Sequence, residues 1–325
     1  MLSFFRTLRS VLSLAVLMLV VPAAAQDYPS RPVTIVVGYT PGATSDLVAR
    51  TIGERLNAAW GQSVIVDNRS GVSGNIAAGY VARAQPDGYT LMVGTDAMMT
   101  TNIYLYKNAP FDPVKDFAPI ASIGFFDFIV GTNAESPYKN LADLIKFARD
   151  NPGKLNVGTI SVGSTQNLSA QLLKSTAGID FQIVPYRGTP EVIVGLLRKD
   201  IDVMIDNYVG MKSALSDGKV SAIGTTGESR SVILKDAPTV IEGGVKGYDV
   251  VSWNALFAPA ATPPEVIAKL NGALREVVVQ PDVKQKLLDL GIEARAGSPE
   301  ELKARLVDDI AKWTKVIEQA GIPKQ

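Results

Sequence analysis

Residues 38–50 read GYTPGATSDLVAR and directly follow the apolar run Val33–Val37, VTIVV. The apolar run predicts a buried strand, and Leu47, Ile52 and Leu56 recur at helical spacing after the loop. A strand that leads through small residues into a helix leaves unpaired backbone N–H groups at the helix start, where anions bind. The stretch therefore predicts an α/β unit with an anion site at its loop.

A similar pattern occurs again near the middle of the chain. Residues 155–159 (LNVGT) predict a strand, 160–165 (ISVGST) a loop and 166–176 a helix. The carboxyl ends of strands in α/β sheets are the usual place for ligands. Two such loops predict one ligand held between two lobes.

We predict that the ligand contacts come from these two loops and from the ends of neighbouring strands. Around the first loop (residues 40–46), the candidates are Tyr39, Thr40, Gly42, Ala43, Thr44, Ser45 and Asp46. In the second loop (residues 161–166), they are Ser161, Gly163, Ser164, Thr165 and Gln166. Thr95, Asp96, Arg187 and Asp206, each near the end of another predicted strand, complete the set.

Each candidate also has an ordinary structural interpretation. Thr44 or Ser45, and likewise Ser164 or Thr165, could simply cap a helix. The aspartates that follow strands could form local turns, and an exposed arginine could form a surface ion pair.

The composition excludes several classes of function. The chain has 325 residues, with 32 Lys plus Arg against 32 Asp plus Glu, so it has no overall basic field to attract nucleic acid. It contains no cysteine and no histidine, which removes disulfides, thiolate nucleophiles, Ser-His-Asp triads and the commonest metal ligands. The carboxylates form no catalytic pair or metal loop that we can identify. We therefore expect no catalytic residues, cofactor or metal.

The N-terminus resembles an export signal. Arg6 and Arg9 precede an apolar stretch at 11–21, and three alanines end at Ala25. The alternative is an uncleaved anchor, but the stretch is well short of the roughly 20 residues that span a bilayer. We predict a signal peptide at residues 1–25, cleaved near Ala25, and a mature protein in the periplasm.

The remaining chain alternates predicted strands and helices, which favours α/β layering with mainly parallel strands. We predict extended crossings near 125–130 and 247–252. They would divide the chain into one lobe of residues 26–127 plus 249–325 and a second lobe of residues 128–248. The C-terminal helices are assigned to the first lobe, and Ser298, Pro299 and Glu301 predict a capped start for the last of them.

The chain closely resembles the Bug extracytoplasmic solute receptors, which are the binding subunits of tripartite tricarboxylate transporters. The segments that carry the resemblance are YPSRPVTIVV (28–37), PGATSDLVAR (41–50), VDNRSGVSGN (66–75), PDGYTLMVGT (86–95), VPYRGTPE (184–191) and SWNALFAPAATP (252–263). The resemblance implies a two-lobed periplasmic-binding-protein fold of type II. It also implies that the first and second loops face each other and hold a ligand carboxylate.

Two positions depart from the family pattern. Ala43 stands where many members have a second glycine, and Asp96 stands where a neutral or basic residue is expected. An aspartate facing a ligand carboxylate would be repulsive, so Asp96 either points away or receives an ammonium or hydroxyl group. The aromatic segment 125–128 (FFDF) also allows an aromatic carboxylate as ligand.

The combined prediction is a periplasmic, non-enzymatic receptor for a dicarboxylate, tricarboxylate or aromatic carboxylate. We expect a monomer that delivers its ligand to membrane transporter subunits, with a sensor kinase as an alternative partner. The alternative function is an exported α/β enzyme acting on a carboxylated small molecule.

Overall fold

The computed structural model describes residues 28–324, so the predicted signal peptide lies outside the described residues. The strands are β1 (Val33–Val37), β2 (Val64–Asn68), β3 (Thr90–Thr95), β4 (Phe117–Asn133), β5 (Asn156–Ile160), β6 (Gln182–Tyr186), β7 (Val203–Asn207), β8 (Val220–Thr225), β9 (Val251–Pro259) and β10 (Glu293–Ala294). The helices are α1 (Thr44–Trp60), α2 (Asn75–Ala82), α3 (Asp96–Thr100), α4 (Asn102–Leu105), α5 (Leu141–Asp150), α6 (Thr165–Ala177), α7 (Thr189–Leu197), α8 (Tyr208–Ser216), α9 (Pro264–Val278), α10 (Pro281–Asp289) and α11 (Pro299–Ala320). Within this range, no helix is both long enough and apolar enough to span a membrane.

The strands form one mixed sheet in the order β2-β1-β3-β9-β4-β7-β5-β6, and β8 and β10 also pair with β4. At one end β2, β1 and β3 are parallel, and at the other end β6, β5 and β7 are parallel. The antiparallel strands β9 and β4 join the two groups. The predicted α/β fold is confirmed, but the sheet is mixed and not mainly parallel, because β4, β8, β9 and β10 pair only with antiparallel neighbours.

Strand β4 is unusually long and changes partners part of the way along. Residues 117–127 pair with β9, whereas residues 128–133 pair with β7 and β8. A single continuous strand therefore runs through both halves of the sheet.

The register of β4 brings the carboxyl ends of both parallel groups to the same place. Thr95, at the end of β3, pairs with Asn254 of β9, which in turn pairs with Gly124 of β4. Asn207, at the end of β7, pairs with Phe128 of β4. Because β3 runs parallel to β4 and β7 runs antiparallel to it, the two carboxyl edges approach this section from opposite directions. Four residues of strand separate the two levels by about 13 Å.

Each half of the sheet has its own buried clusters. Val33, Ile35 and Val37 of β1 pack with residues of α1, α9 and α10, while Leu155 and Val157 belong to a separate cluster around β5. Helices α9 and α10 thus pack on the first half, where the sequence analysis places them.

The last helix, α11, differs because it contributes to both halves. Leu302 and Leu306 lie in a cluster of the first half, but Trp313 and Ile317 lie in the cluster around β5. Its predicted start is confirmed, since Ser298 and Glu301 form a reciprocal capping box.

Candidate functional site

The first loop places backbone N–H groups at the start of α1. Ala43 is the N-cap and provides no side-chain hydrogen bond, so the alternative that Thr44 or Ser45 caps the helix is wrong. The N–H groups of Asp46 and Leu47 both donate to the carbonyl of Ala43, at 2.9 and 3.0 Å. Thr44 and Ser45 are the first helical residues, and N–H groups at these positions have no partner within the helix. They remain available to an anion.

Asp46 holds the first loop in shape. Its side chain is almost fully buried, and its Oδ2 accepts from the N–H of Gly42 at 2.8 Å, where the backbone has φ +85°. Asn68 Nδ2 donates to Asp46 Oδ1 at 2.9 Å, and Arg50 Nε donates to Oδ2 at 3.0 Å. Burial raises the pKa of Asp46, but the hydrogen bonds from Arg50, Gly42 and Asn68 outweigh it and hold the pKa below its ordinary value. Asp46 therefore shapes the loop as a carboxylate, with both oxygens occupied.

The ends of β1 and β3 are also linked. The hydroxyls of Tyr39 and Thr95 lie 3.3 Å apart, and Thr95 caps α3 by accepting from the N–H of Met98. Burial raises the pKa of Tyr39, which keeps its hydroxyl protonated. Asn68 donates to the carbonyl of Tyr39 at 3.0 Å, so it connects this pair to the Asp46 cluster. Thr40 is exposed.

The second loop has a related design with a different cap. Gly163 has φ +81°, and its N–H donates to Asn167 Oδ1 at 3.2 Å. Ser164 is the N-cap of α6 and accepts from the N–H of Asn167 at 3.2 Å, so its predicted capping role is confirmed. Thr165 begins the helix, and Ser161 is exposed. Asn167 therefore holds the second loop in shape by accepting from the N–H of its glycine, as Asp46 does in the first loop.

Asp206 fixes the start of α6 to two other elements. Gln166 Nε2 donates to its Oδ1 at 3.0 Å, and Thr189 Oγ1 donates to its Oδ2 at 2.7 Å. The N–H of Asn207 also donates to Oδ1, at 2.8 Å. Burial of the carboxyl raises its pKa, despite these hydrogen bonds. The structure thus brings the predicted residues Gln166 and Asp206 together.

Asp96 is the first residue of α3, and it lies close to Asp309 of the last helix. It is fully buried, its Oδ1 accepts from Thr100 Oγ1 at 3.0 Å, and its Oδ2 has no partner among the described residues. Burial and the nearby charge of Asp309 in α11 raise its pKa to about 7. This placement indicates a role in packing, and a ligand contact of Asp96 stays a prediction.

Arg187 is not part of either cluster. Its side chain is exposed beyond the end of β6, and its backbone N–H donates to Glu191 Oε2 at 3.3 Å. Among residues 28–324 its guanidinium forms no ion pair.

A chain of contacts connects the two loops through residues 71–75, which we call the third loop. A Cβ atom on Gly38, just before the first loop, would lie 2.7 Å from Cα of Gly74. The hydroxyls of Ser73 and Tyr106 lie 2.8 Å apart. A Cβ on Gly163 in the second loop would lie 2.5 Å from Leu105 Cδ1, beside Tyr106. The three loops therefore occupy one neighbourhood.

Sequence reasoning missed three polar residues that organise this neighbourhood: Asn68, Asn167 and Thr189. Asn68 ends β2 and Thr189 opens α7 after β6, so each lies at the carboxyl edge of its own parallel group, and that position was the available signal. No group of three acidic residues suited to a metal ion occurs in the described part of the chain. The arrangement offers hydroxyl and N–H donors, which suit an oxygen-rich anion.

Comparison with known proteins identifies the family. The model of the family described as "Tripartite tricarboxylate transporter family receptor" matches residues 48–322. Rpa4515 of R. palustris, solved with adipate, has a TM-score of 0.80 and 37% identity, covering 92% of this chain and 100% of that one.

Two further solved structures are similar over nearly the same length. The periplasmic binding protein BugD has a TM-score of 0.75 and 31% identity, covering 92% of this chain and all of its own. MatC from Rhodopseudomonas palustris, solved with bound malate, has a TM-score of 0.74 and 32% identity, covering 89% of this chain and all of its own.

Proposed function

Since the chain belongs to the tripartite tricarboxylate transporter receptor family, we propose that it captures a small organic carboxylate between its first and second loops. The family and the similar structures are solute-binding receptors, so the chain is a receptor and the exported-enzyme alternative is wrong. The observation that carries the proposed site is the register of β4. It directs the carboxyl ends of both parallel groups to residues 124–128 from opposite sides.

The proposed binding unit consists of two lobes, residues 26–127 plus 249–325 and residues 128–248. The change of β4 partners between Asp127 and Phe128 supports this division, because strand pairing is separate on either side of it. The separate buried clusters support it as well.

The proposed carboxylate contacts are the N–H groups of Thr44 and Ser45 and the hydroxyls of Ser45 and Ser164. Tyr39 and Thr95 border the same edge, whereas Asp46, Gln166 and Asp206 hold the loops in shape. These four net hydrogen bonds of roughly 1 kcal/mol each supply about half of the roughly 8 kcal/mol of a micromolar complex, and apolar burial of the ligand supplies the rest. No large net charge is needed.

The ligand class follows from the chemistry of the site and from the relatives. Rpa4515 was solved with adipate and MatC with malate, and both are dicarboxylates. Phe126 and Phe128 form an edge-to-face pair with ring centroids 5.8 Å apart near the proposed site. We include aromatic carboxylates in the class on this ground.

The receptors of this family are periplasmic. We propose that this chain is exported, cleaved near Ala25 and active as a monomer. It would deliver its ligand to the membrane subunits of a tripartite transporter, with a sensor kinase as the second candidate partner.

Thermal-shift measurements on purified mature protein test the proposal, with adipate, malate, citrate and terephthalate as probes. Binding stabilises the folded state, so a ligand at a hundred times its Kd adds about 2.7 kcal/mol to the free energy of unfolding. We expect the melting temperature to rise with the concentration of at least one acid. Adipamide, which keeps the length of adipate without its charges, is the matched control and should cause no shift. Absence of a shift with every carboxylate would contradict the proposal.

A further inference from the structure

We infer that the third loop, residues 71–75, is a further ligand-binding element that receives the second carboxylate of a dicarboxylate. This inference rests on the proposed function, since it presumes that the first and second loops hold the other carboxylate. It adds a second carboxylate subsite, and it predicts that the ligand is a dicarboxylate.

The backbone of the third loop exposes donors. Gly71, Val72, Ser73 and Gly74 have φ values of 138°, 47°, 52° and 92°, so four successive residues adopt left-handed or related conformations. The N–H groups of Val72 and Ser73 donate no hydrogen bond within residues 28–324. Successive N–H groups in a turn of this kind form a concave site for an anion.

Asn75 adds a buried side-chain donor at the same point. It is the first residue of α2 and is only 2% exposed. Its Oδ1 accepts from Asn102 Nδ2 at 2.7 Å, and the same Nδ2 donates to the carbonyl of Ser73 at 2.9 Å. Because a carbonyl can only accept, the Asn102 atom must be its NH₂ group, and the facing Asn75 atom must be its oxygen. The Asn75 Nδ2 therefore lies on the other side of the amide, and it has no partner in the described structure.

The hydroxyl pair of Ser73 and Tyr106 provides one further hydrogen-bond donor at the third loop. Ser73 Oγ and Tyr106 Oη lie 2.8 Å apart, and one of the two protons makes this hydrogen bond. The other hydroxyl proton is free to point towards a ligand oxygen. Residues 71–75 contain no acidic side chain to compete for these donors.

The third loop lies beside the first loop, so one ligand can reach both. Gly38 precedes the first loop and is packed so closely on Gly74 that an added Cβ would overlap its Cα. The buried Asn75 donor needs an acceptor, because unpaired buried polar groups are rare in folded proteins. A second ligand carboxylate supplies acceptor oxygens for the amide, the hydroxyl and the two N–H groups.

The test compares acids that differ only in the second carboxylate, by isothermal titration calorimetry on the mature protein. Adipate is paired with hexanoate, and malate is paired with 3-hydroxybutanoate. Asn75→Asp keeps the size of the side chain but replaces the donor with a negative charge. We expect this variant to bind the dicarboxylate at least about tenfold more weakly, and to bind its monocarboxylate partner within twofold of the unaltered protein.

The matched control is Asn140→Asp, which introduces the same change at the exposed N-cap of α5. Aspartate and asparagine are equally good N-caps, so this variant should bind all four acids normally. Unchanged dicarboxylate affinity in Asn75→Asp, or an equal loss for the monocarboxylates, would overturn the inference and leave the proposed function standing. If the protein bound only carboxylates that are not dicarboxylates, the inference would be overturned and the proposed function would also stand. Failure of every carboxylate to bind the unaltered protein would overturn both.

A second measurement uses the unaltered protein, so its result does not depend on whether the variant folds. In a crystal structure with adipate or malate, we expect a carboxylate oxygen within hydrogen-bond distance of Asn75 Nδ2. A bound dicarboxylate whose oxygens all lie outside that distance would refute the third-loop assignment.

Discussion

Asp46→Asn is the sharpest test of how the first loop is held. The carboxylate accepts from Gly42 N–H and Asn68 Nδ2 in a buried position and from the half-exposed Arg50. Asparagine has one acceptor oxygen instead of two. It keeps one of the buried hydrogen bonds and turns its NH₂ group towards the donor of the other.

The structure supports an estimate of the cost. Loss of one hydrogen bond to a buried charge accounts for about 1.5 kcal/mol, and leaving its donor unpaired adds about 1 kcal/mol. The guanidinium of Arg50 is about half exposed, so solvent screens its ion pair and the pair adds little to this cost. We expect a decrease of about 2.5 kcal/mol in the free energy of unfolding. We also expect at least tenfold weaker binding of the carboxylate, because the N–H groups of the loop lose their fixed position.

Urea denaturation and calorimetric titration measure the two effects. The matched control is Asp282→Asn, which removes an ion pair with Arg55 from a more exposed carboxylate and should lower the free energy of unfolding much less than Asp46→Asn does. The pKa of Asp46 is lowered in the folded state, so its contribution is present above the unfolded pKa and is lost as the pH falls through the folded one. The difference between Asp46→Asn and the unaltered protein should therefore shrink in acid. Equal losses in the two variants at neutral pH would refute this account of the loop.

Three further changes have distinct expected outcomes. The pKa of Asp96 is raised from 3.8 to about 7, mainly by burial and then by Asp309, so stability falls as the pH rises through that window. Asp96→Asn should remove this fall and make the protein more stable than the unaltered protein at pH 8, as urea titrations at several pH values would detect. Gly163→Ala introduces backbone strain and a clash with Leu105, and it should lower the free energy of unfolding by about 3 kcal/mol. Its control is Gly178→Ala, where φ is also positive but the added Cβ has open space, and by the same assay this change should cost about 1 kcal/mol. Ser298→Ala should lower the free energy of unfolding by about 1 kcal/mol in thermal denaturation and leave calorimetric carboxylate affinity unchanged.

Local signals predicted much of the fold. The bounds of β1 agree with the apolar run 33–37, and α5 begins after Asn140, whose side chain accepts from the N–H of Asp143. Such elements are specified by residues next to one another in the sequence. The short helices α3 and α4 were not predicted, because five and four residues are too few to show a helical period.

The site was predictable only in part, for a related reason. Small residues after a strand indicate a loop with free N–H groups, and this identified the first and second loops. The residues that hold those loops lie far away in sequence, as Asn68 does from Asp46 and Asp206 does from Gln166. Their hydrogen bonds depend on which strands become neighbours in the sheet, and the spacing of residues along the chain does not predict strand neighbours.

The last helix has a consequence for how the receptor moves. Its 22 residues form a rod about 33 Å long, with one end buried among the first-half residues and the other among those around β5. A wide hinge opening would pull Trp313 or Leu306 out of its apolar surroundings. Rotation of the two halves about an axis close to α11 would keep both ends of the helix packed. We therefore expect ligand release to proceed by a twist of small amplitude, whose extent is limited by the packing of α11 on both halves.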